Sequence, residues 1–182
     1  MIIILDPGHG MSNKRRGQYD SGACAGGVEE AAIAMEWVNE LRAILKADGH
    51  TVIRTRVDAK DPCPVSRRDD IAASYHGDRM LSIHCNSADG KASGSECFYR
   101  GADDKEMAQK LSVTTAHSLG IHDRGAKTEK ESQHPSLAVM EFDKCWLVEL
   151  GFIDNPIDRE KMLDPLLRRS TCKALARVIT GE

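Results

Sequence analysis

The sequence predicts one α/β domain over residues 1–182, a mostly parallel twisted sheet with helices on both faces. Three observations carry this. Short apolar runs bounded by glycine, proline or charge recur along the chain, separated by stretches of helical period. The first run, Ile2-Ile3-Ile4-Leu5, is unbroken, as expected of a strand buried on both sides. No internal repeat and no Pro/Ser-rich linker divides the 182 residues, a length that suits a single core.

The elements follow in order. Residues 1–5 read as a buried strand. Residues 6–27 (DPGHGMSNKRRGQYDSGACAGG) have no hydrophobic period and read as a long loop; such loops in compact domains are usually functional or disordered. Over residues 28–47, Ile33, Trp37, Leu41, Ile44 and Leu45 share one helical face, and Gly49 ends the helix. Residues 51–55 (TVIRT) read as a strand, 66–75 (SRRDDIAASY) as a short helix, and 80–84 and 95–99 as strands. Residues 104–119 form a helix with Met107, Leu111 and Thr115 on one side, and Asp123-Arg124-Gly125 falls in the loop beyond it. CWLVEL at 145–150 is the last strand, halted by Gly151, and a final helix covers 159–179 with a break near Pro165.

Composition excludes several classes. A hydrophobic content of 41% and a charged content of 29% are ordinary for a globular chain, and aromatics at 4% require an aliphatic core. The net charge of −3 offers no broad basic field for nucleic acid. No apolar run has the length of a membrane span. The first ten residues lack the basic region and long apolar stretch of a secretory signal, so synthesis without a leader, in the cytoplasm, is the expectation. The six cysteines contain no CxxC pair, which removes a zinc ribbon, and no disulfide framework is needed; most are expected as buried or idle thiols.

Three strand ends deliver ionisable side chains: His9 in a glycine-flanked turn, His84 after Leu81-Ser82-Ile83, and Glu149 after Trp146-Leu147-Val148. Between the first two, a helix opens with Glu29 and Glu30. Two imidazoles and a carboxylate are a common catalytic Zn²⁺ ligand set that leaves a position for water, and a second carboxylate can take a proton from that water. Each residue also has a plain reading. His9 can be a turn residue, His84 a hydrogen-bonded core histidine, and Glu29 or Glu30 a favourable charge at a helix N-terminus. Glu149 is harder to dismiss, because an unpaired carboxylate in WLVELGF costs several kcal/mol (order of magnitude) unless paired, metal-bound or protonated.

LDPGHG, the glutamate at the first helix start, SIHCNS and VELGFIDNP, in this order, resemble the zinc-dependent N-acetylmuramoyl-L-alanine amidases of the Amidase_3 type. The likeness runs over nearly the whole chain and includes VSRRDDIA around Arg68 and Asp123-Arg124-Gly125. It implies that His9, a helix-start glutamate and His84 hold Zn²⁺ and that Glu149 is the catalytic carboxylate. In the family the ligand glutamate usually lies about nineteen residues before the glycine that precedes the second strand, so the resemblance, counted back from Gly49, implies Glu30 as the ligand, with Glu29 the alternative. Ser87 stands where the family often has alanine. Cys85 should face away from His84 by strand alternation and is not counted as a ligand. His134 lies near where the family closes over substrate but reads as an exposed loop residue. Arg68 reads as structural, and Arg124 as either a partner for peptide carboxylates or a structural ion pair.

The resemblance further implies hydrolysis of the amide between N-acetylmuramic acid and L-alanine in peptidoglycan; because that substrate is a polymer an open, shallow cleft is expected, and a monomer is the expected state. A phage endolysin that reaches the cell wall after release is the expected setting. The alternatives are a bacterial autolysin or wall-turnover amidase, a zinc carboxypeptidase on wall peptides, and a non-catalytic peptidoglycan-binding module.

Overall fold

The computed structural model describes residues 1–132 and 137–182. The chain runs from β1 (Ile2–Pro7) into a region where β2 (Gly10–Met11) pairs with β3 (Tyr19–Asp20) and β4 (Cys24–Ala25) pairs with β5 (Val28–Glu29). The expected long loop is thus folded back on itself by two small antiparallel ladders. Val28 and Glu29 are taken up by the second ladder, so α1 (Glu30–Ala47) begins two residues later than the sequence suggests. Then come β6 (Thr51–Arg54), α2 (Arg68–Ser74) after a 3-10 turn, β7 (Arg79–Asn86), β8 (Ser95–Tyr99) and α3 (Lys105–Leu119). The chain ends with β9 (Asp123–Thr128), β10 (Cys145–Phe152), α4 (Pro156–Leu163) and α5 (Pro165–Thr180).

Two elements depart from expectation. Asp123–Thr128 is a strand, not a loop: DRGAKT has no apolar face to announce it, but as the sheet's edge it needs only backbone bonds to β8. β10 continues through Gly151, because its pairing with β7 resumes at Phe152 and Asn86 after an irregularity beyond Glu149. The break expected near Pro165 divides the last stretch into two helices, the first beginning at Pro156. Asn155 accepts from the N–H groups of Ile157 and Asp158, and Asp164 from those of Leu166 and Leu167, with Pro156 and Pro165 in the first turns. Each is a side-chain N-cap followed by a proline that needs no intrahelical donor.

The main sheet has the order β6-β1-β7-β10-β8-β9, and only the β10–β8 pairing is antiparallel. Alternation along the strands builds two cores. On one face Leu5, Leu81, Ile83 and Val148 pack with Trp37 and Leu41 of α1, Leu111 of α3 and Leu175 of α5. Trp37 Nε1 also donates to the Met162 carbonyl at 3.0 Å. The other face is thinner: Ile4, Met80, Phe98 and Leu147 meet Ala72 of α2 and Val139 and Met140. Asp6, Ser82, His84 and Glu149 share the strand phase of this thinner side. Five of the cysteines are buried free thiols and Cys24 is an exposed one. Among the described residues no helix is long and apolar enough to cross a membrane.

A buried ion pair sits beneath the site. Asp6 Oδ1 accepts from Arg68 Nη1 at 2.6 Å and from Thr55 Oγ1, and Asp6 Oδ2 accepts from Ser82 Oγ at 2.6 Å. Burial works against the Asp6 charge, yet Arg68 and the two hydroxyls outweigh it and hold the carboxyl below its usual value of 3.8. A depressed folded-state pKa contributes stability above the unfolded value that is lost as pH falls through the folded one. Asp6→Asn should therefore be about 3–5 kcal/mol less stable than wild type at pH 7, because it leaves Arg68 buried without its counter-charge. The gap should narrow from about pH 4 downward, as the wild-type carboxyl protonates. Urea unfolding at pH 7 and pH 3 checks this; a gap independent of pH would sink it.

Candidate active site

The strand β1 ends in a proline and a glycine that release the chain into a tight turn, and His9 takes a left-handed conformation there, with φ of 59°. A non-glycine residue rarely adopts this unless its surroundings impose it. Two buried arginines impose it. Arg56 donates to the carbonyls of Pro7 at 3.0 Å, Gly8 at 2.7 Å and Ala31 at 3.1 Å. Arg68 donates to those of Pro7 at 2.9 Å and His9 at 2.6 Å, and to Asn13 Oδ1 at 3.1 Å. Arg68 is thus structural, as the sequence suggested.

The turn brings His9 Nε2 within 2.9 Å of Glu30 Oε1 at the start of α1. The same oxygen lies 2.9 Å from His84 Nδ1 on β7 and accepts from the Cys85 N–H at 3.0 Å; Glu30 Oε2 accepts from the Ala23 N–H at 2.9 Å. Donor atoms of His9, Glu30 and His84 all lie within 4.8 Å of one another. Glu29 is elsewhere: it is exposed, and its carboxylate accepts from the Tyr19 hydroxyl at 3.0 Å. Burial opposes the Glu30 charge, but hydrogen bonds from His84 and His9 overcome it and hold the carboxyl well below its usual range. Burial likewise opposes charge on His9, and the Glu30 and Asp20 carboxylates more than offset it, raising its pKa.

Glu149 occupies the register position beside His84 on the adjacent parallel strand. Its Oε2 is closed off from solvent and has no hydrogen-bond partner among the described residues. Burial first, then the charges of Glu30 and Glu96, push this carboxyl well above the usual range. A carboxyl of raised pKa beside a cluster of metal-type donors is suited to passing a proton in both directions. His9, Glu30, His84 and Glu149 line one cavity of about 440 Å³, shared with Glu96, Arg124 and Lys127. His134 lies outside the described residues.

Several residues here have no counterpart in the sequence reading. Asp20 Oδ2 lies 3.0 Å from His9 Nδ1 and accepts from Asn13 Nδ2 at 2.6 Å, which orients the imidazole with Nε2 toward Glu30. Asp20 sits in a stretch without period, so nothing in its spacing marks it. Glu96, buried in SECFY, carried the signal that singled out Glu149: a carboxylate inside an apolar strand. Arg124 pairs with it, Nε to Oε2 at 2.5 Å.

Two glycines leave room for this cluster. A Cβ on Gly22, whose φ is +68°, would lie 2.5 Å from Glu30 Oε2 and 2.7 Å from His9 Cδ2. One on Gly8 would lie 2.5 Å from His84 Nε2. Gly22→Ala should weaken divalent-metal affinity by roughly 10–100-fold, the range of changes that disturb ligand orientation. It should also cost about 1–3 kcal/mol through its positive φ. Metal titration against a chromophoric chelator, with thermal melts, checks both; wild-type affinity in this variant would contradict it.

Fold and site define a class: an α/β domain whose imidazoles and carboxylates gather at the carboxyl end of its parallel strands, as ligand sites in such sheets do. Residues 3–181 match Amidase_3, the N-acetylmuramoyl-L-alanine amidase family, and the chain belongs to that family. It is 30% identical over 184 residues to N-acetylmuramoyl-L-alanine amidase LytC of Bacillus subtilis (strain 168), covering 95% of this chain and 34% of LytC. It is 29% identical over 182 residues to the probable cell wall amidase LytH of Staphylococcus saprophyticus, covering 95% of this chain and 55% of LytH. The chain therefore spans about a third to a half of the length of these relatives. The catalytic domain of the amidase CwlV from Bacillus (Paenibacillus) polymyxa var. colistinus superposes with a TM-score of 0.85 at 23% identity, over 99% of this chain and 96% of that one. The amidase AmiC2 of Nostoc punctiforme gives 0.84 at 24%, over 100% and 96%. At these identities they establish the shared α/β fold.

Proposed function

We propose that this chain hydrolyses the amide joining the lactyl group of N-acetylmuramic acid to L-alanine in peptidoglycan, with Zn²⁺ held by His9, Glu30 and His84. The observation that carries this reading is the convergence of those three donor sets within 4.8 Å beside the orphaned, buried Oε2 of Glu149. The donors suit the ion: two imidazoles and a carboxylate are a catalytic zinc set, and Asp20 on His9 Nδ1 is the outer-shell partner that such a histidine usually has. When bound, Zn²⁺ supplies Lewis acidity for the amide carbonyl and makes water a stronger acid. Glu149 takes the proton from the attacking water and delivers it to the alanine nitrogen as the C–N bond breaks, since an amine leaves readily only when protonated. Arg56 and Arg68 keep His9 in its strained turn, so the imidazole needs no reorganisation during turnover.

The endolysin and autolysin settings use the same chemistry; the relatives named above come from bacteria, which supports wall turnover beside phage lysis. Digestion of purified peptidoglycan, with products identified by mass spectrometry and with and without chelator, tests the reading. Release of intact stem peptides with a free alanine amino end, stopped by chelator, supports it. Cuts within the stem would favour a carboxypeptidase, and binding to the wall without cleavage would favour a non-catalytic module.

A further inference from the structure

The row of register partners that holds His84 and Glu149 continues one strand further, to Glu96 on β8. Glu96 is almost wholly buried, and its Oε2 receives two cations: Arg124 Nε at 2.5 Å and Lys127 Nζ at 2.6 Å, both from the edge strand β9. Asn86 Nδ2 donates to Oε1 at 2.9 Å. Glu96 thus holds two cations at one carboxylate oxygen, inside a cavity that also gathers Glu30, Glu131 and Glu149. Arg124 is also fixed in place. Its guanidinium carbon lies 5.0 Å from the centre of the Phe152 ring, and its Nη atoms have no hydrogen-bond partner among the described residues. A guanidinium held by Nε and ring face, with its fork unused, is prepared for a second carboxylate.

Its distance from the metal-type cluster limits what that carboxylate can be. Adjacent strands lie about 4.8 Å apart, so Glu96 and its cations sit roughly 10 Å from His84 across the sheet. An extended peptide covers that in about two or three residues. We propose that Arg124 and Lys127, anchored on Glu96, form a carboxylate-binding subsite that takes an acidic group on the second or third residue of the stem peptide. This rests on the amidase reading and adds a specificity to it: the enzyme should distinguish stems with free α-carboxylates from stems in which these are amidated.

Two synthetic N-acetylmuramoyl peptides test this, both carrying L-alanyl-γ-D-glutamyl-lysine, one with free α-carboxylates on the second and third residues and the other with both amidated. Wild type should cleave the acid with a kcat/KM about tenfold higher, mainly through KM, and added salt should narrow the ratio. Arg124→Gln and Lys127→Gln should bring the ratio toward one, while Arg124→Lys keeps part of it. Equal cleavage of both peptides by wild type overturns the subsite and leaves the amidase reading intact. So does an Arg124→Gln enzyme that slows on both peptides with its ratio unchanged, which would make Arg124 a support for Glu96 only. Failure to cut either peptide at the muramoyl–alanine bond overturns the amidase reading and the subsite with it. Should Arg124→Gln fail to fold in a thermal melt, the wild-type ratio and Lys127→Gln decide.

Discussion

Glu149→Gln is expected to lower turnover of peptidoglycan by about 10³–10⁴-fold while leaving metal affinity within a few-fold of wild type. The magnitude is that of losing a general acid–base group used twice in one cycle. The same variant should gain stability. The wild-type carboxyl has a folded-state pKa well above its ordinary 4.5, so the folded protein favours the protonated form. Its contribution is intact below about pH 4.5 and declines as pH rises toward the folded value. A neutral amide removes that decline, so the chelator-treated variant should hold its stability as pH rises above about 4.5 while wild type loses some of its own. Kinetics, metal titration and denaturant unfolding on one preparation read all three. An active variant, or one that has lost metal, would refute the assigned role.

The second large effect concerns the ligand set. Metal that binds only the folded state stabilises it by about 4 kcal/mol when present at a thousand times its dissociation constant. At this chain length that is roughly 8–16 °C in melting temperature. Wild type, Glu29→Gln and Glu149→Gln should all show this zinc-dependent shift and lose it on chelation. His9→Ala, Glu30→Ala and His84→Ala should melt at one temperature with or without zinc and be inactive. A zinc shift retained in Glu30→Ala and lost in Glu29→Gln would move the ligand back by one residue, against the geometry that places Glu29 on the Tyr19 hydroxyl.

Much of the architecture is a matter of local pattern. The run Ile2–Leu5, the face of Trp37, Leu41 and Leu45, and the apolar context of Glu149 all announce buried elements, because burial selects residue type and period together. His9, His84 and Glu149 were legible for the same reason: each interrupts a strand or its end with a group that solvation alone would not place there. Glu96 had that signal too, and only the structure shows which carboxylate is paired and which is orphaned. β9 was illegible because an edge strand is specified by backbone hydrogen bonds to β8, and DRGAKT carries no face to betray it.

The sequence by itself determined the α/β class, the strand ends that bear chemistry, and the motifs of an amidase family. The sequence favoured Glu30 over Glu29, and tertiary structure supplies the reason that Glu30 meets the imidazoles: the short β4–β5 ladder holds Glu29 outside the helix and starts α1 two residues later than the periodicity suggests. Tertiary structure alone brought Asp20, Arg56 and Arg68 around the His9 turn, across separations of up to 61 residues. Periodicity reports which face of an element is buried. Which side chain of another element meets it there is fixed by packing, and packing is a property of the whole chain.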